Sequence, residues 1–294
     1  TVRYGRVAVG QLVPGGRPEI VLCNGDTLGP LRWYEWNGTL WTAHDLLGFN
    51  AENPHSLAVA DLDHDGALDI FSAEMMTLNN SDAKTRVFCG DGTGMFQLRE
   101  LASGVDNHES RVADLDGDGD LDILSKPYDT GVPGVRAWIN NGTGTRLLPL
   151  NLWRKRIIDS SIPAIALFVL PGDMDRDGFM DIVAGGWWYK NPRDIGLTWQ
   201  RNAIGSPLNT MFLLHDLDGD GDTDILGTQG VGDADNDSFA WGQNNGSGVF
   251  TVRTNIQQGD GMFPQGASAA RFQAGGPLEV ALDWDAGVTG VQMI

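Results

Sequence analysis

The chain has 294 residues, 41% of them hydrophobic, and a formal net charge of −19. That hydrophobic content places it among globular chains rather than disordered ones, and so acidic a balance argues against nucleic acid and anionic membranes as partners. No apolar run approaches the roughly 18 residues of a membrane span, and the longest, Ile162 to Leu170, contains Pro163 and is short enough to be a buried strand.

Taken in order, the chain repeats one unit. The units begin near residues 5, 55, 108, 165, 209 and 265. A short apolar run leads in, as in Leu57–Ala60 and Phe212–Leu214, and a β-rich pair leads out, as in Ile70-Phe71, Ile123-Leu124, Ile182-Val183 and Ile225-Leu226. The stretch between them joins two strands of a hairpin. A third strand with a large aromatic follows: Leu31–Gly38, Arg86–Gly92, Val135–Gly142, Trp188–Asn191 and Phe239–Gly246. A fourth comes next: Leu40–Thr42, Met95–Leu98, Trp153–Ile157, Thr198–Gln200 and Val249–Val252. Forty glycines and many Asn-Gly pairs fit turns, and no long 3.6-residue period marks a helix. Four strands per unit, with loop starts at 11, 61, 114, 173, 216 and 271 spaced 43 to 59 residues apart, sit at or a little above the ~40–50 residues of a propeller blade. The expected fold is therefore all-β: one β-propeller domain over 1–294, with six units visible and a last blade that is incomplete. A closed ring of seven blades implies further sequence, because the chain starts at Thr1 without Met and stops inside its sixth unit. The open edge would be covered by a partner or by more chain.

Four of the hairpin turns carry one acidic pattern. Asp61, Asp63, Asp65 and Asp69 occupy positions 1, 3, 5 and 9 of the first, with Ala67 at position 7. Asp114, Asp116, Asp118, Asp120 and Asp122 form the second. Asp173, Asp175, Asp177 and Asp181, with Phe179 at position 7, form the third; Asp216, Asp218, Asp220, Asp222 and Asp224 form the fourth. Calcium takes six to eight oxygens; carboxylates at 1, 3, 5 and 9 and a backbone carbonyl at 7 supply such a shell. Glycine at position 6 (Gly66, Gly119, Gly178, Gly221) permits the sharp turn. Position 12 is Ser72, Ser125, Ala184 or Gly227 rather than the Glu of an EF-hand, and the flanks are strands. The expected cofactor is Ca2+ at about four sites, which offsets part of the negative charge. Two outer units lack the pattern: Gln11, Val13, Gly15 and Glu19 stand in its place in one, and Arg271, Gln273, Gly275 and Glu279 in the other.

The run Val112-Ala-Asp-Leu-Asp-Gly-Asp-Gly-Asp-Leu-Asp-Ile-Leu124 and its three sisters resemble the FG-GAP or VCBS repeat, the calcium-loop blade of integrin α-subunit propellers. The resemblance implies a calcium-binding β-propeller, with the ions pinning the hairpin loops. It leaves function open, because the fold hosts lectins, adhesion receptors and lyases alike.

Strand direction then locates a second region. The first strand runs into the acidic loop and the second runs out, so the opposite ends share a face. His55 and His108 stand there, each six residues before a loop, and Glu74, Lys126, Tyr128, Trp187 and Gln229 stand near the ends of outgoing strands. Tyr128, Trp187 and Trp188 are candidate stacking rings for a glycan, with Glu109 and Glu74 accepting its hydroxyls. His55 or His108, with Glu74 and Lys126, are candidate catalytic groups for proton abstraction beside a carbonyl. The resemblance adds that some sugar dehydratases and polysaccharide lyases look like related propellers with channel histidines. No nucleophile elbow, phosphate loop or zinc-type cluster is present. Trp33, Trp138, Trp188 and Trp241, at equivalent places, also read as blade packing.

Asn37, Asn79, Asn141, Asn236 and Asn245 head glycosylation sequons, although Asn-Gly is equally a favoured turn pair. Cys23 and Cys89 are the only cysteines, and their pairing is open. The expected role is an extracellular recognition module for a glycan or an extracellular protein. A sugar lyase or dehydratase is the alternative, and a structural subunit of an extracellular assembly is a third.

Overall fold

A computed structural model describes residues 5–25, 27–77, 80–128, 134–142, 153–161, 168–230, 238–262, 264–284 and 291–294. The chain is all-β, and its strands form antiparallel sheets in strict sequence order, the blade pattern of a β-propeller. They fall into two compact units, Thr1–Ala164 and Ile165–Ile294. No helix is long and apolar enough to cross a membrane among the described residues.

The first unit holds three four-stranded sheets. They are β1 (Arg6–Gly10), β2 (Glu19–Cys23), β3 (Arg32–Trp36) and β4 (Trp41–Asp45); then β5 (Pro54–Ala60), β6 (Asp69–Glu74), β7 (Lys84–Gly90) and β8 (Phe96–Ser103); then β9 (Glu109–Ala113), β10 (Asp122–Lys126), β11 (Val135–Ile139) and β12 (Arg154–Asp159). The leading strands β1, β5 and β9 stand beside one another. The second unit holds β13 (Leu170–Gly172), β14 (Asp181–Ala184), β15 (Trp187–Lys190) and β16 (Gln200–Ala203), then β17 (Thr210–His215), β18 (Asp224–Thr228), β19 (Phe239–Asn244) and β20 (Phe250–Arg253). Its last sheet has three strands among the described residues, β21 (Pro264–Ala270), β22 (Glu279–Trp284) and β23 (Gln292–Met293).

Strands β6, β10 and β18 are buried along their whole length, because each sheet is covered on both faces. The two-residue period divides one strand between two cores. Ile70 joins Val21, Leu31, Trp33 and Phe88 on one side. Phe71 and Ala73 join Val87, Ile123, Trp138 and Trp153 on the other. Leu170, Val183, Trp188, Met211 and Ile225 form the corresponding core of the second unit. Removing a ring such as Phe71, wholly buried, costs about 3–5 kcal/mol because neither neighbouring sheet can close the gap.

Of the four tryptophans at equivalent places, three follow this plan. Trp33, Trp138 and Trp188 are buried, whereas Trp241 is half-buried. Cys23 and Cys89 are buried free thiols; burial pushes Cys23 up to about 12.

Candidate functional site

Each acidic loop is shaped by its own carboxylates. The first Asp accepts the amide of the glycine at position 6: Gly66 to Asp61 at 3.0 Å, Gly119 to Asp114 at 3.0 Å, Gly178 to Asp173 at 2.9 Å and Gly221 to Asp216 at 3.0 Å. The fifth-position Asp accepts the amide of position 7, as Ala67 donates to Asp65 at 2.8 Å and Phe179 to Asp177 at 3.1 Å. These Asx-type turns bend the chain around a point where several carboxylates meet.

The ninth Asp is a different device. Asp69, Asp122, Asp181 and Asp224 are each 0% exposed. One oxygen takes the amide of position 2, from Leu62, Leu115, Met174 or Leu217, at 2.8, 2.8, 2.9 and 3.0 Å. The other takes an amide at the end of the third strand, from Gly90, Asn140, Asn191 or Asn244, at 2.7–2.8 Å. Half of this device remains where the acidic loop is gone: Glu19 accepts the loop amides of Leu12 at 2.7 Å and Val13 at 3.1 Å. In the four acidic loops the ninth carboxylate fastens the hairpin to the third strand.

The donor set suits a hard cation. Oxygens of Asp61, Asp63 and Asp65, of Asp114, Asp116 and Asp122, of Asp173, Asp175 and Asp181, and of Asp216, Asp218 and Asp224 each lie within 4.8 Å of one another. Asp61 Oδ1 and Asp175 Oδ1 are buried without a hydrogen-bond partner, which fits a cation held at that point. Burial pushes Asp69 up to about 7, Asp122 to about 8, and Asp181 and Asp224 to about 6. Backbone amides oppose that rise in all four. Burial, followed by the Asp118 charge, raises Asp116 to about 6. A divalent ion among these oxygens would hold them ionised.

The opposite end of the first unit brings part of the second candidate set together. β9 pairs with β10 so that Glu109 faces Lys126, the far end of the hairpin from the Asp114 loop and ~15 Å from it along the strands. His55 stacks on His108, ring centroids 4.3 Å apart, and His108 stacks on Tyr128 at 5.0 Å. His55 Nδ1 lies 2.6 Å from the His108 carbonyl oxygen, and the Arg6 guanidinium lies 2.9 Å from the same nitrogen. Glu109 is ion-paired with Arg6 and Arg111. His55, His108 and Glu109 are buried, and Tyr128 is half-buried. Lys126 is wholly buried and donates to the Pro127 carbonyl at 2.8 Å. Glu74 lies apart from the stack in its bonding: Arg86 donates to it at 2.5 Å and the Lys84 amide at 2.9 Å.

In the second unit, Trp188 packs among Leu170, Met174 and Ile204, and its ring abuts Gly248 so closely that a methyl there would collide. Trp187 is half-buried and carries the Arg201 guanidinium 5.1 Å above its ring. The sequon residues Asn37 and Asn245 are exposed and accept turn amides, from Thr39 and Leu40 and from Ser247. Asn79 and Asn236 lie outside the described residues.

Side chains that the sequence did not single out bear on both ends. Arg6, from the first sheet, reaches the His55 ring. Lys190 bonds to Asp175 and Asp177, and Arg193 bonds to Asp177 at 3.1 Å. A cation one strand beyond each loop is the signal that would have found Lys190.

Sheets of this order joined by these loops define a β-propeller. The sequence model of the FG-GAP-like repeat matches residues 16–72, which include the Asp61–Asp69 loop. Among solved structures, the crystal structure of the V. cholerae biofilm matrix protein Bap1 is similar with a TM-score of 0.52 and 19% identity. That similarity covers 86% of this chain and 39% of the Bap1 chain, and it concerns the fold. No curated protein matches the chain.

Proposed function

We propose that the chain is an extracellular, calcium-stabilised β-propeller module that recognises a carbohydrate or a protein partner. Calcium is held in the four loops by Asp61, Asp63, Asp65 and Asp69, by Asp114, Asp116, Asp118 and Asp122, by Asp173, Asp175, Asp177 and Asp181, and by Asp216, Asp218, Asp220 and Asp224. The backbone carbonyls of Ala67, Asp120, Phe179 and Asp222 complete these shells. An ion that binds only the folded chain stabilises it by mass action. Secretion is supported by the fold neighbour Bap1, a biofilm matrix protein.

The observation that carries the recognition reading is the His55–His108–Tyr128 stack beside Glu109 and its two arginines. It sets a graded series of rings, with the half-buried Tyr128 outermost, next to charged groups that can bond hydroxyls or carboxylates. A glycan screen tests it. Tyr128→Ala is expected to weaken binding of a captured sugar about tenfold, in the range of an aromatic anchor, with the thermal midpoint held. Binding that survives both Tyr128→Ala and His108→Ala would place recognition elsewhere.

One observation favours a second reading. Two imidazoles in contact, one beside a guanidinium, are groups that a lyase uses to take a proton next to a carboxylate-bearing carbon. Release of ultraviolet-absorbing unsaturated sugar from an acidic polysaccharide, lost in His108→Ala, would establish it.

A further inference from the structure

The four loops differ at two positions in an alternating way. Position 4 is His64 and Arg176 in the leading loop of each unit, but Gly117 and Gly219 in the trailing loop. Position 7 is Ala67 and Phe179 in the leading loops, but Asp120 and Asp222 in the trailing ones. His64 and Arg176 both sit at φ 57°, whereas Gly117 and Gly219 sit at 78° and 82°. This is the left-handed region, where a side chain costs about 1–2 kcal/mol and glycine nothing.

Those two side chains make the same contact. His64 Nδ1 lies 3.0 Å from Asp120 Oδ1. Arg176 Nη1 lies 2.6 Å from Asp222 Oδ1, and its other nitrogen donates to the Gly221 carbonyl at 3.2 Å. A second tie runs the other way. Asn140 donates from its side chain to the Leu62 carbonyl at 2.9 Å, and Asn244 donates to the Met174 carbonyl at 2.8 Å. Each of these asparagines gives its backbone amide to the trailing loop's ninth Asp, Asp122 or Asp224. Leu62 and Met174 give theirs to the leading loop's ninth Asp, Asp69 or Asp181. An unbroken path of hydrogen bonds therefore links the two ninth carboxylates of each unit, Asp69–Leu62–Asn140–Asp122 and Asp181–Met174–Asn244–Asp224.

We propose that the loops work as two coupled pairs, Asp61–Asp69 with Asp114–Asp122 and Asp173–Asp181 with Asp216–Asp224, in which an ion held by one loop tightens the hold of its pair-mate. The proposal rests on the calcium reading above. An ion in the leading loop fixes its ninth carboxylate and its fourth residue. Through Asn244 and Arg176, or Asn140 and His64, that order is passed to groups the trailing loop must otherwise order for itself. Arg176, His64, Asn140 and Asn244 are positioning residues; none is a ligand in the pattern.

The test uses the full chain with glycine-selective isotope labelling and calcium chloride as titrant. The amides of Gly66, Gly119, Gly178 and Gly221 each bond to the first Asp of their own loop, so each reports its own site. Asp173→Asn is expected to weaken calcium binding at Gly221 about fivefold, the low end of ordinary coupling, and to leave the Gly119 titration unchanged. Arg176→Gly, which places the trailing loop's own residue at that φ, reduces the effect to about twofold. Adding Asn244→Ala abolishes it, and Arg176→Lys retains it. If Asp173→Asn leaves Gly221 unmoved, or moves Gly119 as much, the pairing is overturned while calcium binding stands. If no glycine amide responds to calcium, the calcium reading falls and the pairing with it.

Discussion

The loops Asp114–Asp122 and Asp173–Asp181 carry the same carboxylates at positions 1, 3, 5 and 9 and meet different surroundings. In the first, Asp114, Asp116 and Asp118 are met by backbone amides of the loop itself. In the second, Lys190 bonds to Asp175 and Asp177, and Arg193 adds to Asp177. The ninth residue also differs: burial pushes Asp122 up to about 8 and Asp181 to about 6, each opposed by two backbone amides. If both loops take calcium, an ion entering the second must compete with Lys190 and Arg193, whereas in the first it meets no such side chain from the third strand among the described residues.

The comparison breaks most sharply at the one feature the two loops have in common. Asp122→Ala and Asp181→Ala each leave two buried amides without an acceptor, which costs roughly 2–5 kcal/mol. Urea denaturation of the calcium-loaded protein should give similar losses for both, because the staple is structural in either loop. A loss below about 1 kcal/mol would mean that the ninth carboxylate serves the ion alone.

Acidity sharpens the contrast next. A carboxyl whose folded value is raised contributes stability at pH below its unfolded value of 3.8, and loses it as pH climbs through the folded value. For Asp181 and Asp224 that loss runs upward from pH 3.8 and is complete near pH 6, and for Asp69 and Asp122 it continues to about pH 7 and 8. Chelated protein should therefore weaken between pH 5 and pH 8, with the first unit responding at the higher pH. Saturating calcium should flatten that dependence. A chelated protein that grows more stable over this range would contradict the assignment.

Lys190→Ala tests the internal cation. Its side chain is 37% exposed, so the expected cost in chelated protein is below about 1 kcal/mol. Calcium affinity at Gly178 should rise two- to fivefold as the competitor leaves. Arg193→Ala, with a side chain 58% exposed, should change both by less. Weaker calcium binding in Lys190→Ala would show that the lysine supports the site rather than competing for it.

The blades and loops were legible in the sequence because both are local. The two-residue period, the aromatic third strand and the Asp spacing each lie within a dozen residues, and β3, β7, β11, β15 and β19 fall where those signals put them. What was not legible joins residues far apart in the chain. Asn140 and Asn244 stand beside Asn-Gly turn pairs at the end of third strands, yet they bond carbonyls 78 and 70 residues away. The Asp spacing assigns no role to His64 or Arg176. The position of Glu74 on an outgoing strand puts it opposite Pro54, beside His55, but gives no sign of Arg86, one strand over, which binds it. Trp188 was open to two readings, and burial in a core assigns it to packing.

The central claim is that the acidic loops are ion-dependent fasteners of the blades, and thermal unfolding with excess calcium and with chelator tests it most directly. The midpoint should fall by about 5 °C or more on chelation, since a single saturated site contributes about 2.7 kcal/mol at a hundredfold excess over its dissociation constant. An unchanged midpoint would contradict the claim.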